Sequence, residues 1–284
     1  MLPLSTIPSL PPLVTTGPYR DVPVFPHHSD CIPPGVVESG AYDLRFAWTR
    51  ADLHAVQSLR YRVFHEEMGE GIVADETQRD EDQHDPWFHH LMIIHRASGE
   101  VVGTYRLQTC VMAATRFGFY SATLFELGAI PGVILDKSIE VGRACVAPAY
   151  RSGRVLRLLW KGLARYMHWN SKRFLFGCCS LPGTNVDTAR DAWRILHARK
   201  VLHDRVMARP RAGHSALPDD GRTRPLTTAD SLTAPLTPLF DSYLALGAKV
   251  CSSPALDREF GTTDFLVLMD VEELEESTRR SLFA

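Results

Sequence analysis

The 284-residue sequence has no apolar run near the ~18 residues that a membrane-spanning helix needs; its longest, LMII and FLVLM, are strand-sized. No basic N-terminal region leads into an apolar core, so no secretory signal is read. There is no C-x-x-C among the six cysteines, Cys31, Cys110, Cys145, Cys178, Cys179 and Cys251. Most lie in apolar, strand-like surroundings, which predicts reduced, buried thiols and excludes a disulfide framework or a zinc site. Cys145 has Arg143 nearby but no histidine to act as base, so packing rather than nucleophilic chemistry is expected of it. H-E-x-x-H is absent too. The histidines of HDPWFHHLMIIH sit on a strand pattern that sends His90 and His95 to opposite faces, so no metal is expected.

A net charge of −2 offers no general attraction to nucleic acid or membrane. The distribution is less even. Nine acids and one base occupy residues 65 to 85, whereas no acid occurs between Val141 and Val186, a span holding eight Lys and Arg residues. An acidic arm and a basic tract are therefore separated along the chain.

Nine of the 19 prolines fall in residues 1–40, which read as an extended or disordered arm. The folded part, one domain over 41–284, begins with a strand at YDLRFAW. A helix follows, opened by a capping box at Thr49 and Asp52 and stopped near Gly69. HHLMIIHR and EVVGTYRLQTC predict a hairpin, FLFGCCS and TDFLVLMD two further strands, and residues 153–170 and 185–202 two long helices. Residues 208–235, rich in Pro, Gly and Thr, read as a loop insertion. Such mixing predicts an α/β (α+β) fold with a mixed, mostly antiparallel central sheet flanked by helices.

The stretch SIEVGRACVAPAYRSG, Ser138 to Gly153, places Glu140 and Arg143 inside an apolar strand, where charges are rare unless paired. Three residues apart, they point to opposite faces of a regular strand. A bulge at Gly142 restores a shared face and exposes backbone amides. Spacing leaves two readings open, a structural ion pair or a site. Arg106, Arg60 or Arg62, Asp82 and Asp85 are further charges in or beside apolar segments, and together they suggest one partly buried network.

The ordered set LRYRVFHEEMG, DEDQHD, HLMII, VVGTYRL, FYSATLFEL, IEVGRACVAPAYRSGRVLRLLWKGLARYM, FLFGCCS and YLALGAKVCSSPALDREFGTTDFLVLMD resembles the ornithine lipid-synthesising N-acyltransferases. The resemblance covers roughly residues 42–271. It implies a GNAT-like fold and transfer of a 3-hydroxyacyl chain from acyl carrier protein to the α-amine of L-ornithine. The acyl-homoserine lactone synthases look like more distant relatives. Matching their site implies roles for Arg60 or Arg62 with Phe64, Asp82 and Asp85, Arg106, and Glu140 with Arg143; the Trp of those synthases after the first helix is absent. Alternatives are an N-acyl amino acid or acyl-homoserine lactone synthase with another amine acceptor, and a non-catalytic carrier-protein or lipid-binding module.

On this resemblance Glu140 is the expected general base, directly or through water. Arg143 and Arg106 orient it, hold the acceptor carboxylate or bind the 3-hydroxyacyl group. Asp82 and Asp85 either keep those arginines in place or receive ornithine's side-chain ammonium. YRSGRV replaces the glycine-rich pyrophosphate turn of ordinary GNAT enzymes. Ser152, Gly153 and Arg154 would then hold the single phosphate of a carrier-bound phosphopantetheine, with no separate cofactor. The next helix carries Arg154, Arg157, Lys161, Arg165, His168 and Lys172 in one stripe, opposite Leu156, Leu159, Leu163 and Tyr166. An acid-free stripe suits docking of acyl carrier protein or anionic lipid better than an ordinary solvated face. A cytoplasmic protein with transient membrane contact is expected.

Overall fold

In the computed structural model, residues 25–72, 76–217 and 236–283 are described. Strands β1 (Val37–Ser39) and β2 (Tyr42–Phe46) lead into helix α1 (Arg50–Arg60) and the hairpin β3 (His89–His95) and β4 (Glu100–Thr109). Short elements α2 (Cys110–Thr115), β5 (Phe125–Glu126) and α3 (Gly132–Asp136) precede β6 (Ser138–Val146), α4 (Arg154–Trp169), β7 (Phe174–Pro182) and α5 (Val186–Ala198). The remainder comprises β8 (Arg209–Pro210), α6 (Pro238–Ala245), β9 (Lys249–Val250), β10 (Ala255–Asp257), β11 (Thr262–Asp270) and α7 (Glu276–Phe283).

Local chemistry sets several boundaries. Thr49 accepts the Asp52 amide and Asp52 returns the bond to the Thr49 amide, the expected capping box. Asn185 caps α5 by accepting from the Asp187 and Thr188 amides. Helix α1 does not stop at Arg60; it widens into a π-helix, Tyr61–Glu67. Such a wide turn shifts the side chains that follow around the helix axis. Here Arg60, Val63 and Phe64 are all buried.

The main sheet runs β1-β2-β3-β4-β6-β7-β11-β10, with β9 also on β11. Every pairing is antiparallel except β6 with β7. Helix α4 makes the crossover between these parallel strands. Alternation along the strands fills two layers. One face carries Leu91, Ile93, Tyr105, Leu107, Ile139 and Leu175 against Leu159, Leu163 and Tyr166 of α4. The same face continues as Cys179, Leu181, Phe265 and Val267 beneath α5 and α6. The other face packs Met92 against α1, and Phe176, Leu266 and Leu268 against Leu124, Phe125 and Ile130. The expected mixed, mostly antiparallel sheet between helices is what forms.

The arm differs from expectation from residue 25 onward. Ile32 is core, β1 joins the sheet, and Trp169 and Asn170 donate to the carbonyls of Asp30 and Cys31 at 2.8 and 2.9 Å. Prolines keep this strap extended, but neighbouring side chains satisfy its backbone and order it. The rest of the arm, residues 1–24, lies outside the described residues. So do residues 218–235 of the expected insertion. Its first part is tied down, with β8 paired to β5 and Ser215 bridged to Ala255.

Strands β6 and β7 pair only from Ser138–Phe174 to Glu140–Phe176 and then diverge. The expected bulge lies here: between Gly142, opposite Arg106, and Cys145, opposite Thr104, β6 has one residue more than β4. Arg143, not Gly142, takes the left-handed conformation, with φ of 49°. Gly142 stays in register. At the fork, a Cβ on Gly177 would overlap the Val141 carbonyl oxygen, so only glycine allows the two backbones to meet this closely. We expect Gly177→Ala to force the strands apart and cost about 1–3 kcal/mol. Denaturant unfolding checks this; unchanged stability would contradict the close approach.

Candidate active site

Three arginines and three aspartates alternate on the α1 face of the sheet. Arg60, at the end of α1, meets Asp80 at 2.8 Å and Asp85 at 2.5 Å. Arg106, on β4, bridges Asp85 at 2.9 Å and Asp82 at 2.5 Å. Arg143, on the bulge, meets Asp82 at 3.1 Å and Asp80 at 3.8 Å. Gln57 donates to Asp85 at 3.0 Å. The formal charges cancel, which makes burial tolerable. Burial alone would raise the Asp82 and Asp85 pKa values, but Arg106 and Arg60 respectively hold them well below the carboxylate range. Three aromatic rings steady the arginines: Arg106 lies 4.8 Å from Phe88 and 5.0 Å from Tyr120, and Arg143 4.1 Å from Phe260.

Glu140 lies opposite Gln108, on the same face as Arg106, and the bulge brings Arg143 onto that face. The Glu140 carboxylate is buried and accepts from Gln108 Nε2 at 2.5 Å, the Tyr120 amide at 2.8 Å and the Ser121 amide at 2.6 Å. A carboxylate has about four acceptor sites, so roughly one remains open.

A cavity of about 500 Å³ passes through the fork between β6 and β7. On the α1 side it is polar, reached by Glu140, Arg106, Arg143, Tyr120, Asp264 and Glu70. On the α4 side it is lined by Leu159, Trp160, Leu163, Phe240, Val267 and Met269. Beyond Glu140, the β6 edge facing β7 has no strand partner. An amine held in the polar chamber and an acyl chain in the apolar one would therefore meet at an unpaired backbone edge.

Glu140, Arg143, Arg106 and Phe64 all line the cavity, and Phe64 stands edge-on to Phe260 at 5.5 Å. Of the two helix candidates, Arg60 turns inward and is fully buried, whereas Arg62 points to solvent and leaves the site. Asp82 and Asp85 do not reach the cavity wall. Their oxygens are bound by Arg106 and Arg143 and by the His84 and Asp85 amides. Gly153 caps α4 at φ 86° with no side-chain capping bond, leaving the helix N-terminus open at the cavity mouth.

The basic tract is less free than its composition suggests. Arg151 pairs with Glu67, and Arg173 with Asp270 and Glu272. Arg165 and Lys172 donate to the Pro34 and Asp136 carbonyls. Arg154 lies over the Tyr42 ring. Exposed Arg157 and Lys161, near the mouth, have no ion pair among the described residues. Cys145 is buried, and burial pushes its thiol up to about 12, which suits packing.

Sequence reasoning missed Asp80, Gln108, Asp257, Asp264 and Glu70. Asp264 carried the same signal as Glu140, an acid inside an apolar strand. Burial pushes Asp264 up to about 6, with Asp257 alongside adding to the rise, and burial plus Asp264 pushes Glu70 up to about 7.

Breaking a buried pair costs about 3–5 kcal/mol, so Asp85→Asn should lose that much stability at neutral pH. The sign follows from a folded pKa depressed below the ordinary 3.8: the contribution is present above that value and is lost as pH falls through the folded pKa. Urea unfolding at pH 7 should separate variant from wild type, and the gap should narrow in strong acid. Equal stability at pH 7 would contradict the network.

An acetyltransferase (GNAT) domain model matches residues 59–161. An L-ornithine N(alpha)-acyltransferase of Brucella abortus (strain 2308) is 34% identical over 270 residues, covering 88% of this chain and 91% of that protein. That of Rhizobium meliloti (strain 1021) is 34% identical over 250 residues, covering 82% of this chain and 81% of that protein. Among solved structures, FeeM, an N-acyl amino acid synthase from uncultured soil microbes, is 12% identical, with a TM-score of 0.46 over 82% of this chain and 92% of that one. Identity of 34% along most of both chains leads to one assignment: the protein belongs to the L-ornithine N(alpha)-acyltransferase family.

Proposed function

We propose that this protein transfers a 3-hydroxyacyl chain from the phosphopantetheine thioester of acyl carrier protein to the α-amine of L-ornithine, giving a single-chain lipid. The observation that carries this reading is the cavity joining a polar chamber to an apolar one through the β6–β7 fork. The acyl chain lies in the apolar end, and the thioester carbonyl rests on the unpaired β6 edge, whose amides stabilise the oxyanion. The α-ammonium first gives a proton to Glu140 through water. The nitrogen lone pair then attacks the carbonyl carbon; the C–N bond forms, the C–S bond breaks, and the extra proton left on the nitrogen passes to the departing thiolate, giving amide and free thiol. Arg143 and Arg106 hold the acceptor carboxylate or steer it past Glu140.

The open N-terminus of α4, at Ser152, Gly153 and Arg154, suits the one phosphate of phosphopantetheine. The donor brings its own prosthetic arm, and no other cofactor is invoked. Exposed Arg157 and Lys161 give an acidic carrier protein its docking contacts beside the mouth. Among the described residues, no helix is long and apolar enough to cross a membrane. Delivery of the lipid product then needs only transient contact between a cytoplasmic protein and the membrane surface.

General-base catalysis typically contributes 10²–10⁴-fold, so Glu140→Gln should lower kcat at least ~100-fold with an unchanged circular dichroism spectrum. A folded variant with full activity would remove Glu140 from the mechanism. For docking, the double change Arg157→Glu, Lys161→Glu should raise KM for acyl carrier protein by ~10-fold, since each exposed contact is worth up to about 1 kcal/mol, and should leave KM for ornithine little altered. An unchanged carrier-protein KM would refute this docking face.

A further inference from the structure

The polar chamber has an end that acyl transfer to a simple amino acid does not require. Asp264 enters it from β11, on the same face as Ser180 of the neighbouring strand, and is only 3% exposed. Asp257 comes from the paired strand β10 and binds the Glu259 and Phe260 amides with one oxygen. Glu70, from the turn after the π-helix, is 9% exposed, and its Oε1 is buried with no hydrogen-bond partner among the described residues. All three reach the cavity wall. None is ion-paired among the described residues, in contrast to Asp80, Asp82 and Asp85.

Buried carboxylates without counter-ions are costly and push one another towards protonation. That is the direction seen: Asp264 is raised to about 6 and Glu70 to about 7, burial being the larger cause in each. Arg143 is the nearby cation, and it is already engaged by Asp80 and Asp82. The chamber thus pairs a guanidinium region with a separate, uncompensated acidic region. An acceptor with a carboxylate and one ammonium leaves the acidic region unmatched; a second ammonium on its side chain completes it.

We propose that Glu70 and Asp264, with Asp257 behind them, receive the side-chain ammonium of a diamino acid acceptor and set the preference for it over neutral amino acids. The proposal rests on the polar chamber being the acceptor site. Clamping the distal ammonium leaves the α-amine near Glu140 and the fork. A site built around a polar group rejects analogues that lack it.

The test compares L-ornithine with L-norvaline, which has the same carbon chain but no side-chain amine. Calorimetric binding to the donor-free protein and acylation kinetics are measured for wild type, Asp264→Asn and Glu70→Gln. Wild type should favour ornithine in both readouts by about 10²-fold, and each variant should bring that ratio towards one. A wild type that binds both acceptors equally would overturn the assignment. So would variants that lose both acceptors in proportion, which marks the carboxylates as proton acceptors or structural groups. Retained binding preference without any acylation would support the acidic pocket and refute the acyltransfer reading instead.

Discussion

The arrangement depends on a closed ring of opposite charges. Arg60, Asp85, Arg106, Asp82, Arg143 and Asp80 join the end of α1, the loop before β3, strand β4 and the bulge of β6. Each charge is out of water and tolerable only because two opposite charges flank it. The ring also offsets the cost of a left-handed arginine at position 143, of order 1–2 kcal/mol. Without its partners, Arg143 would have little reason to keep that conformation, and the bulge that sets the site would lose its support.

From the bulge the rest follows. It brings Arg143 onto the face that Glu140 and Arg106 already share and sits where β6 and β7 separate. Separation frees one backbone edge and opens a passage through the sheet. The two faces were already different, one covered by the apolar side of α4 and the other by the charged ring. A passage between such faces has a polar end and an apolar end, which is what joining an amino acid to a fatty acyl chain demands.

Features fixed by neighbours in the chain were legible in the sequence. The capping box at Thr49 and Asp52, the cap at Asn185 and the strand character of SIEVGRACV rest on local rules. The bulge is legible too, and glycine, the cheapest local choice, points to Gly142; tertiary ion pairs instead select Arg143 for the left-handed conformation. Arg62 and Arg60 are equivalent on paper, and the π-turn together with Asp80 and Asp85 decides between them. Gln108 and Asp80 gain their roles only through tertiary contacts, Gln108 with Glu140 and Asp80 with Arg60 and Arg143. Glu70 stands in a run of acids that reads as an acidic arm, and only the fold buries it. Asp264 was readable, since it breaks an apolar strand as Glu140 does.

The central claim is that the acceptor lies in the polar chamber with its α-amine towards the fork. Its most direct test is regiochemical. The protein is incubated with 3-hydroxyacyl carrier protein and L-ornithine carrying ¹⁵N at the α-position only, and the product is fragmented in a mass spectrometer. The account predicts a singly acylated product with the amide on the labelled nitrogen. Acylation of the unlabelled side-chain nitrogen, or no acylated ornithine at all, would contradict it.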